Sequence, residues 1–470
     1  MRELLDERSW AEAVFGQCEI GDKRLTRRLV EYAARQAEQP GASAHAVCQG
    51  SGALKEGTFR FLRNDRVEPE AIAEGGFRSV ADRLEAGVDV LVIEDTTTLN
   101  YHHEVAGELG EIGGVKDHPT RAFLVHSALA VARKGGEVHG LLDQVWWTRV
   151  GARSVSKSKR AYRDKEAYKW QRSSERVRAR VSNTASLVWL CDREADIHEY
   201  LVDKCEHGDR FVVRAMHDRL LVDSHKRLWQ HMRAQPVRLE REVEIGQRGK
   251  QRGANPKESR PARTATVQVR AGRVTLCIKD QKGGKRGEPL TVGAVYVVEP
   301  QAPEGVEPLE WMLLTTEPID TDEQAVAVIE CYERRWLIEE YHKVWKTGCR
   351  VEMRRLQTAD NLQREGVILA FIATRILALN LAMRANPDKP CDEVLPGDAW
   401  KCLHASVEPH KALPARPPDV AWAYKALAKL AGWICTKRGQ LPSHLTIWKG
   451  WMRLDERLTG WQLALSAMET

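Results

Sequence analysis

Three carboxylates in this 470-residue chain stand where phosphodiester chemistry would use them. Asp95 ends the run VDVLVIE (88–94), Asp192 ends SLVWLC (186–191), and Glu339 lies in TDEQAVAVIECYERRWLIEEYHKVWKTG (321–348). Two divalent ions bridging three carboxylates can activate a water or a 3′-hydroxyl and stabilise the leaving oxygen. Hard oxygen donors without an organised Cys or His cluster point to Mg²⁺, with Mn²⁺ as a substitute. The plain alternative for either aspartate alone is a cap or turn residue.

The elements expected to position these groups are two strands and one helix. Short, nearly continuous apolar runs suit buried central strands, and a carboxylate just past such a strand projects where a site can form. The third segment predicts a helix over Asp322–Lys346, opened by a Thr321-x-x-Gln324 capping box and stopped at Gly348. At about 100° per residue, Tyr332, Arg335, Glu339, Lys343 and Lys346 share an arc of roughly 80°. One acid among three cations and a phenol suits a metal-and-phosphate face. An ion-pair ladder from Glu339 to Arg335 or Lys343 is the simpler reading of the same stripe.

The spacing Tyr332-x-x-Arg335-x-x-x-Glu339-x-x-x-x-x-x-Lys346 resembles the Y-R-E-K signature of the insertion-sequence-four group of bacterial cut-and-paste DDE transposases. IGDKRLTRRLV (20–30), EGTFRFLRN (56–64), IEDTTTLNYHHEVAGELG (93–110), DREADIHEYL (192–201), RPARTATVQVRAGRVTL (260–276), WMLLTTEP (311–318) and WAYKALAKLAGW (422–433) are similar to its Tn-five-like members. The resemblance is collinear over nearly the whole chain. It implies a ribonuclease H-like mixed sheet with an inserted antiparallel β-subdomain, flanked by helical domains at both ends. It implies that Asp95, Asp192 and Glu339 hold two Mg²⁺ ions. Tyr332, Arg335, Lys343, Lys346 and Arg214 then contact phosphates, and Trp311 stacks on a base swung out of the duplex. The implied partners are double-stranded transposon-end DNA, target DNA and a second copy of the chain.

Local pattern suggests three parts. Residues 1–70 are expected to be helical, with Arg24, Arg27 and Arg28 on one basic face and Arg60 and Arg63 beside Phe59 and Phe61. Such clusters alone are commonly solvated surface; within the resemblance they form an end-recognition domain that reads base edges and grips phosphates. Residues 71–365 carry the strands and the signature helix. The 147 positions between Asp192 and Glu339 exceed one strand–helix connection. REVEI, ATVQV, VTLCI, AVYVV and EWMLL fill the gap as an antiparallel insertion over about 235–317. Its turns hold Arg248, Lys250, Arg252, Lys257, Arg260, Arg263, Lys279, Lys282, Lys285 and Arg286, which keep edge strands soluble or, as the resemblance implies, contact DNA. Residues 366–470 are expected to be helical, with Trp422, Trp433, Trp448, Trp451 and Trp461, which as a pattern suit core packing; the resemblance implies that this part joins two protomers.

Composition is compatible with a polyanionic partner: net charge is +6, with the basic residues clustered. The charged opening MRELLDERSW lacks a secretory apolar core, and ten cysteines without a C-x-x-C pair read as reduced thiols of a cytoplasmic protein. Cys402-x-His404 is the nearest approach to a metal pattern and reads as a bystander pair. The apolar stretch 366–385 carries Arg375 and Asn380, so it is expected as a buried or partner-facing helix rather than a membrane span. Two other function classes stay open: a structure-selective nuclease on the same fold, and a non-catalytic DNA-binding regulator.

Overall fold

The computed structural model describes residues 6–115, 118–149, 160–181, 185–222, 224, 226–245, 263–277, 288–395, 397–435 and 442–468. Helix starts follow from local chemistry. Asp6, Asp22 and Ser51 accept backbone N–H groups at the starts of α1 (Glu7–Phe15), α2 (Lys23–Glu38) and α3 (Gly52–Leu62). Pro69 opens α4 (Pro69–Ala81), where its missing N–H costs nothing.

One mixed sheet of ten strands follows among the described residues. Its strands are β1 (Asp89–Asn100), β2 (Glu111–Val115), β3 (His118–Ala132), β4 (Val138–Trp147), β5 (Ser186–Cys191), β6 (Arg210–Arg214), β7 (Leu239–Ile245), β8 (Arg263–Leu276), β9 (Leu290–Val298) and β10 (Glu310–Thr315). Their order is β2-β3-β1-β5-β6-β10-β9-β8-β7, with β4 also on β3. β3 lies antiparallel to both β4 and β1, whereas β1, β5 and β6 are parallel. That order is consistent with a ribonuclease H-like sheet. β6 continues antiparallel into β10, β9, β8 and β7, so the strands expected as an inserted subdomain extend this sheet. ATVQV and the opening VTL of VTLCI, expected as separate strands, are one. Pairing of β8 with β9 runs unbroken from Gln268 opposite Val298 to Leu276 opposite Leu290, so the intervening RAGR is strand. The basic positions 248, 250, 252, 257, 260, 279, 282, 285 and 286 lie outside the described residues; Arg263 binds Glu299.

Strand alternation sorts the sheet into two apolar faces. Leu91, Ile93, Val188, Leu190, Val212 and Leu313 share a cluster with Ile338, Tyr341 and Trp345 of the signature region. Val90, Val92, Trp189, Cys191, Phe211 and Met312 share another with Trp170 of α5 (Lys169–Arg180) and Tyr200 of α6 (His198–Glu206). Asp95, Asp192, Arg214 and Trp311 have the parity of the first face.

The helix expected as one straight rod is segmented. α7 (Leu228–Arg233) lies upstream. The signature then forms α8 (Asp322–Glu333), a 3₁₀ turn at Arg334–Trp336, α9 (Leu337–Lys343) and a π turn at Val344–Gly348. The Thr321/Gln324 capping box is formed. The chain does not use Gly348 for its left-handed turn; Arg350 takes that conformation at φ 54°.

α10 (Ala359–Ala385) is the spine of the molecule. It is long and apolar enough to cross a membrane, but 89% of its apolar window is buried inside the fold. Its buried Arg364, Arg375 and Asn380 are all bonded within the chain. α11 (Ala399–Val407), α12 (Val420–Leu430) and α13 (His444–Met468) gather round a smaller core that includes Leu403, Leu427 and Leu454.

Candidate active site

Asp95, expected just past a strand end, lies within β1, which β3 pairs on to Asn100; it sits where the strand's burial gives way, and α9 packs over the same face. Its Oδ1 accepts the Thr96 N–H at 2.8 Å. Asp192 lies one residue past β5, the parallel neighbour of β1, and its Oδ1 accepts the Glu194 N–H at 2.8 Å. Burial first, then the charge of Asp192, push the Asp95 carboxyl up to about 7. Arg335 opposes that shift and Glu339 adds to it, so all four groups share one field. Burial also raises Asp192, against the Glu194 N–H and the more distant Arg335 and Lys169.

The signature side chains frame these two acids unevenly. Arg335 is bonded to Glu339, one turn on, so Glu339 faces along the helix toward its cation. Lys343 lies 3.9 Å from Glu340 and not beside Glu339. Lys346 Nζ is 3.5 Å from Thr97 Oγ1 and 3.6 Å from Glu352 Oε1, which draws it to the end of β1. Arg214 donates to the Glu310 carbonyl at 2.7 Å and interacts with the buried Tyr332, while burial lowers its pKa. Trp311 meets Tyr332 edge-on, with ring centroids 5.2 Å apart. The sheet face thus gathers Asp95, Asp192, Arg214 and Trp311 beneath Tyr332 and Arg335. Lys343 stands aside.

One neighbour was not singled out from the sequence. His342 is buried three residues after Glu339, with Nδ1 4.0 Å from Asp95 Oδ2 and Nε2 without a hydrogen-bond partner among the described residues. Burial pushes its pKa down to about 3, so it is neutral. Its helical offset from Glu339 was the available signal, but a lone histidine has no ligand spacing to distinguish it from a core residue.

Arg24 and Arg28 lie on α2, Arg60 on α3 and Arg63 just past its end, far along the chain from the acids. Arg24 is bonded to Asp22, Arg28 to Glu31 at 3.0 Å, and Arg60 to Glu56. Arg63 lies over the Phe59 ring at 5.5 Å. Arg24 and Arg60 stay exposed despite their partners, a weak kind of pairing that an anion can replace.

Among the described residues no three His, Cys, Asp or Glu side chains already cage a metal, and Glu339 is bonded to Arg335. Asp95 and Asp192 nevertheless fit a divalent cation: both present hard oxygen donors, and their mutual repulsion is relieved by positive charge. Cys402 and His404 are buried side chains of α11, and all ten cysteines are unbridged.

Residues 7–67 match the family described as Transposase DNA-binding, and residues 160–375 match the Transposase DDE domain. The chain carries the domains of a DDE transposase. The first match contains Arg24, Arg28, Arg60 and Arg63 of the transposase; the second contains Asp192, Arg214, Trp311 and the whole signature. Asp95 precedes the second match and joins the site through the parallel pairing of β1 with β5. DNA is therefore the partner, and a divalent metal is the cofactor class of the DDE domain.

Proposed function

We propose that this transposase is a cut-and-paste enzyme of the Y-R-E-K group, acting on the ends of its own element as a homodimer. The observation that carries the reading is the placement of Asp95 on β1 and Asp192 just past its parallel neighbour β5, on the sheet face over which the segment carrying Arg335 and Glu339 packs. Asp95, Asp192 and Glu339 would hold two Mg²⁺ ions, which supply Lewis-acid activation of the attacking oxygen and stabilisation of the leaving one. Capture of a phosphate by Arg335 exchanges its present partner and frees Glu339 to turn toward the aspartates. Arg214, Tyr332, Lys343 and Lys346 steer neighbouring phosphates, and the N-terminal arginines hold the end sequence.

Water first attacks the phosphodiester at the transposon end and releases a 3′-hydroxyl. That hydroxyl attacks the opposite strand, displacing the flanking DNA and closing a hairpin. A second water opens the hairpin, and the 3′ end then attacks target DNA. A nicking assay with end-bearing duplex and Mg²⁺ tests the assignment. Asp95→Ala, Asp192→Ala and Glu339→Ala should each abolish nicking while end binding persists, and Ca²⁺ should support binding with little cleavage. Nicking retained by two of the three variants would refute the assignment. Cleavage without strand transfer by the unaltered protein would indicate a nuclease, and end binding without any cut a regulator.

A further inference from the structure

Behind the candidate site, on the other face of the sheet, lies a second group of ionisable residues that the reaction above leaves unused. Glu94 precedes Asp95 and is fully buried; Cys191 precedes Asp192 and is fully buried; the two are register partners across β1 and β5. The Glu94 carboxylate is a hub. Its Oε2 accepts from Tyr200 Oη at 3.1 Å and from Cys191 Sγ at 3.5 Å, and its Oε1 lies 3.4 Å from His126 Nε2. His126 Nδ1 in turn reaches Thr96 Oγ1 at 3.0 Å. Lys204, buried beside them, rests over the Trp189 ring and bonds Ser174 Oγ at 2.7 Å.

A buried carboxylate is costly unless it is bonded, and Val90 and Val92 fill the same face of β1 with apolar side chains. Packing alone therefore does not call for Glu94. Its placement has a geometric consequence. Glu94 and Thr96 flank Asp95 and are both tied to His126, so the β1 backbone is held on each side of the aspartate. Tyr200 and Cys191 tie the same carboxylate to the residue before Asp192. We propose that Glu94, with His126 and Tyr200, is a positioning set that fixes the separation of Asp95 and Asp192 and so sets the affinity for the divalent cation. This rests on the reading of those aspartates as metal ligands. Sites of this kind tolerate displacements of only about 0.5 Å, and supporting residues typically change metal affinity by about 10–100-fold.

The full-length protein tests this through Mn²⁺ binding, followed by electron paramagnetic resonance without DNA, and through the Mg²⁺ dependence of end nicking. Glu94→Gln keeps size and removes charge; Tyr200→Phe removes only a hydroxyl; Val269→Ala, in the distant buried β8, lowers stability without touching the network. Glu94→Gln should weaken Mn²⁺ binding about tenfold and raise the half-maximal Mg²⁺ concentration equally. Its rate at saturating Mg²⁺ should stay within about twofold of the unaltered protein. Tyr200→Phe should shift in the same direction by less, and it carries the test if Glu94→Gln does not fold. Unchanged Mn²⁺ binding in the folded network variants, or an equal shift in Val269→Ala, would overturn the proposal. Mn²⁺ binding unaffected by Asp95→Ala would instead remove the metal reading, and the positioning role with it.

Discussion

The Asp95 carboxyl, a cation ligand on the proposed reading, is pushed up to about 7 by burial and by Asp192, which makes it sensitive to pH. Below pH about 4 it is protonated in both the folded and the unfolded chain. As pH rises from its ordinary 3.8 toward about 7, the unfolded chain releases the proton while the folded chain keeps it. Stability contributed by this group therefore falls across that window and stays low above it. In EDTA, Asp95→Asn should leave Tm unchanged near pH 4 and raise it at pH 8; equal Tm shifts at both pH values would contradict the burial and charge argument. Trp311 makes a different demand at the same scale. It is half-buried against the core and edge-on to Tyr332, which fits a core residue and also an aromatic face beside the reacting strand. Stacking on an extruded base returns roughly 1–3 kcal/mol against an extrusion cost of a few kcal/mol. Trp311→Ala should therefore spare the first nick and slow hairpin formation, with partial rescue by an abasic nucleotide at the extruded position. Equal loss of both steps with a lowered Tm would return Trp311 to the core.

The signature helix behaves as an element because its breaks aim its side chains. A 3₁₀ turn advances about 120° per residue rather than about 100°, so the segment Arg334–Trp336 rotates everything beyond it relative to a straight rod. Arg335, within that turn, meets Glu339 and the field of Asp95, whereas Lys346, further along, reaches the end of β1. Arg335→Ala and Lys346→Ala should each slow cleavage and reduce the log–log salt slope of DNA binding by about 0.9, equally for any DNA sequence. A change in preferred end sequence for Arg335→Ala would make it a base reader. Part of the site was legible beforehand, because Asp192 follows the apolar run that becomes β5 and the capping box marks where α8 begins; the strand end expected at Asp95 was not, because pairing with β3 carries β1 on through TTTLN to Asn100. The breaks were not, since they answer to the sheet beneath and leave no propensity signal in ERRWLIEEYHK. For the same reason RAGR looked like a turn: pairing with β9 holds it extended against its composition. His342 and Glu94 were passed over because burial and partners, not residue type, distinguish them.

At the scale of the whole molecule, the arrangement of recognition and chemistry depends on buried arginines that fasten the N-terminal helices to the core. Arg364 of α10 donates through Nε to the Val67 carbonyl at 2.5 Å and through Nη1 to the Leu62 carbonyl at 3.1 Å and Asn361 Oδ1 at 2.7 Å. Leu62 ends α3, where helix carbonyls lack partners of their own. Arg354, just past the signature, donates to the Pro40 carbonyl at 2.6 Å and to the Cys349 carbonyl at 2.8 Å. The segment that holds Arg60 and Arg63 is thus bolted to the segment that follows Lys346; if one chain both grips and cuts the same end, as the Arg364→Met test assumes, that end enters the site at a set distance from where it is gripped. Arg364→Met retains the apolar stem but strands two buried carbonyls and removes a charge-assisted bond set, so it should cost on the order of 3 kcal/mol in urea unfolding. End binding at a temperature where the variant is folded should stay within a few-fold, because the arginines proposed to grip DNA are untouched. Nicking should slow and spread to neighbouring phosphates, because the rigid distance is lost. If folded Arg364→Met cuts at the original phosphate at an undiminished rate, the end is aligned by the catalytic face alone and the fastening serves stability only.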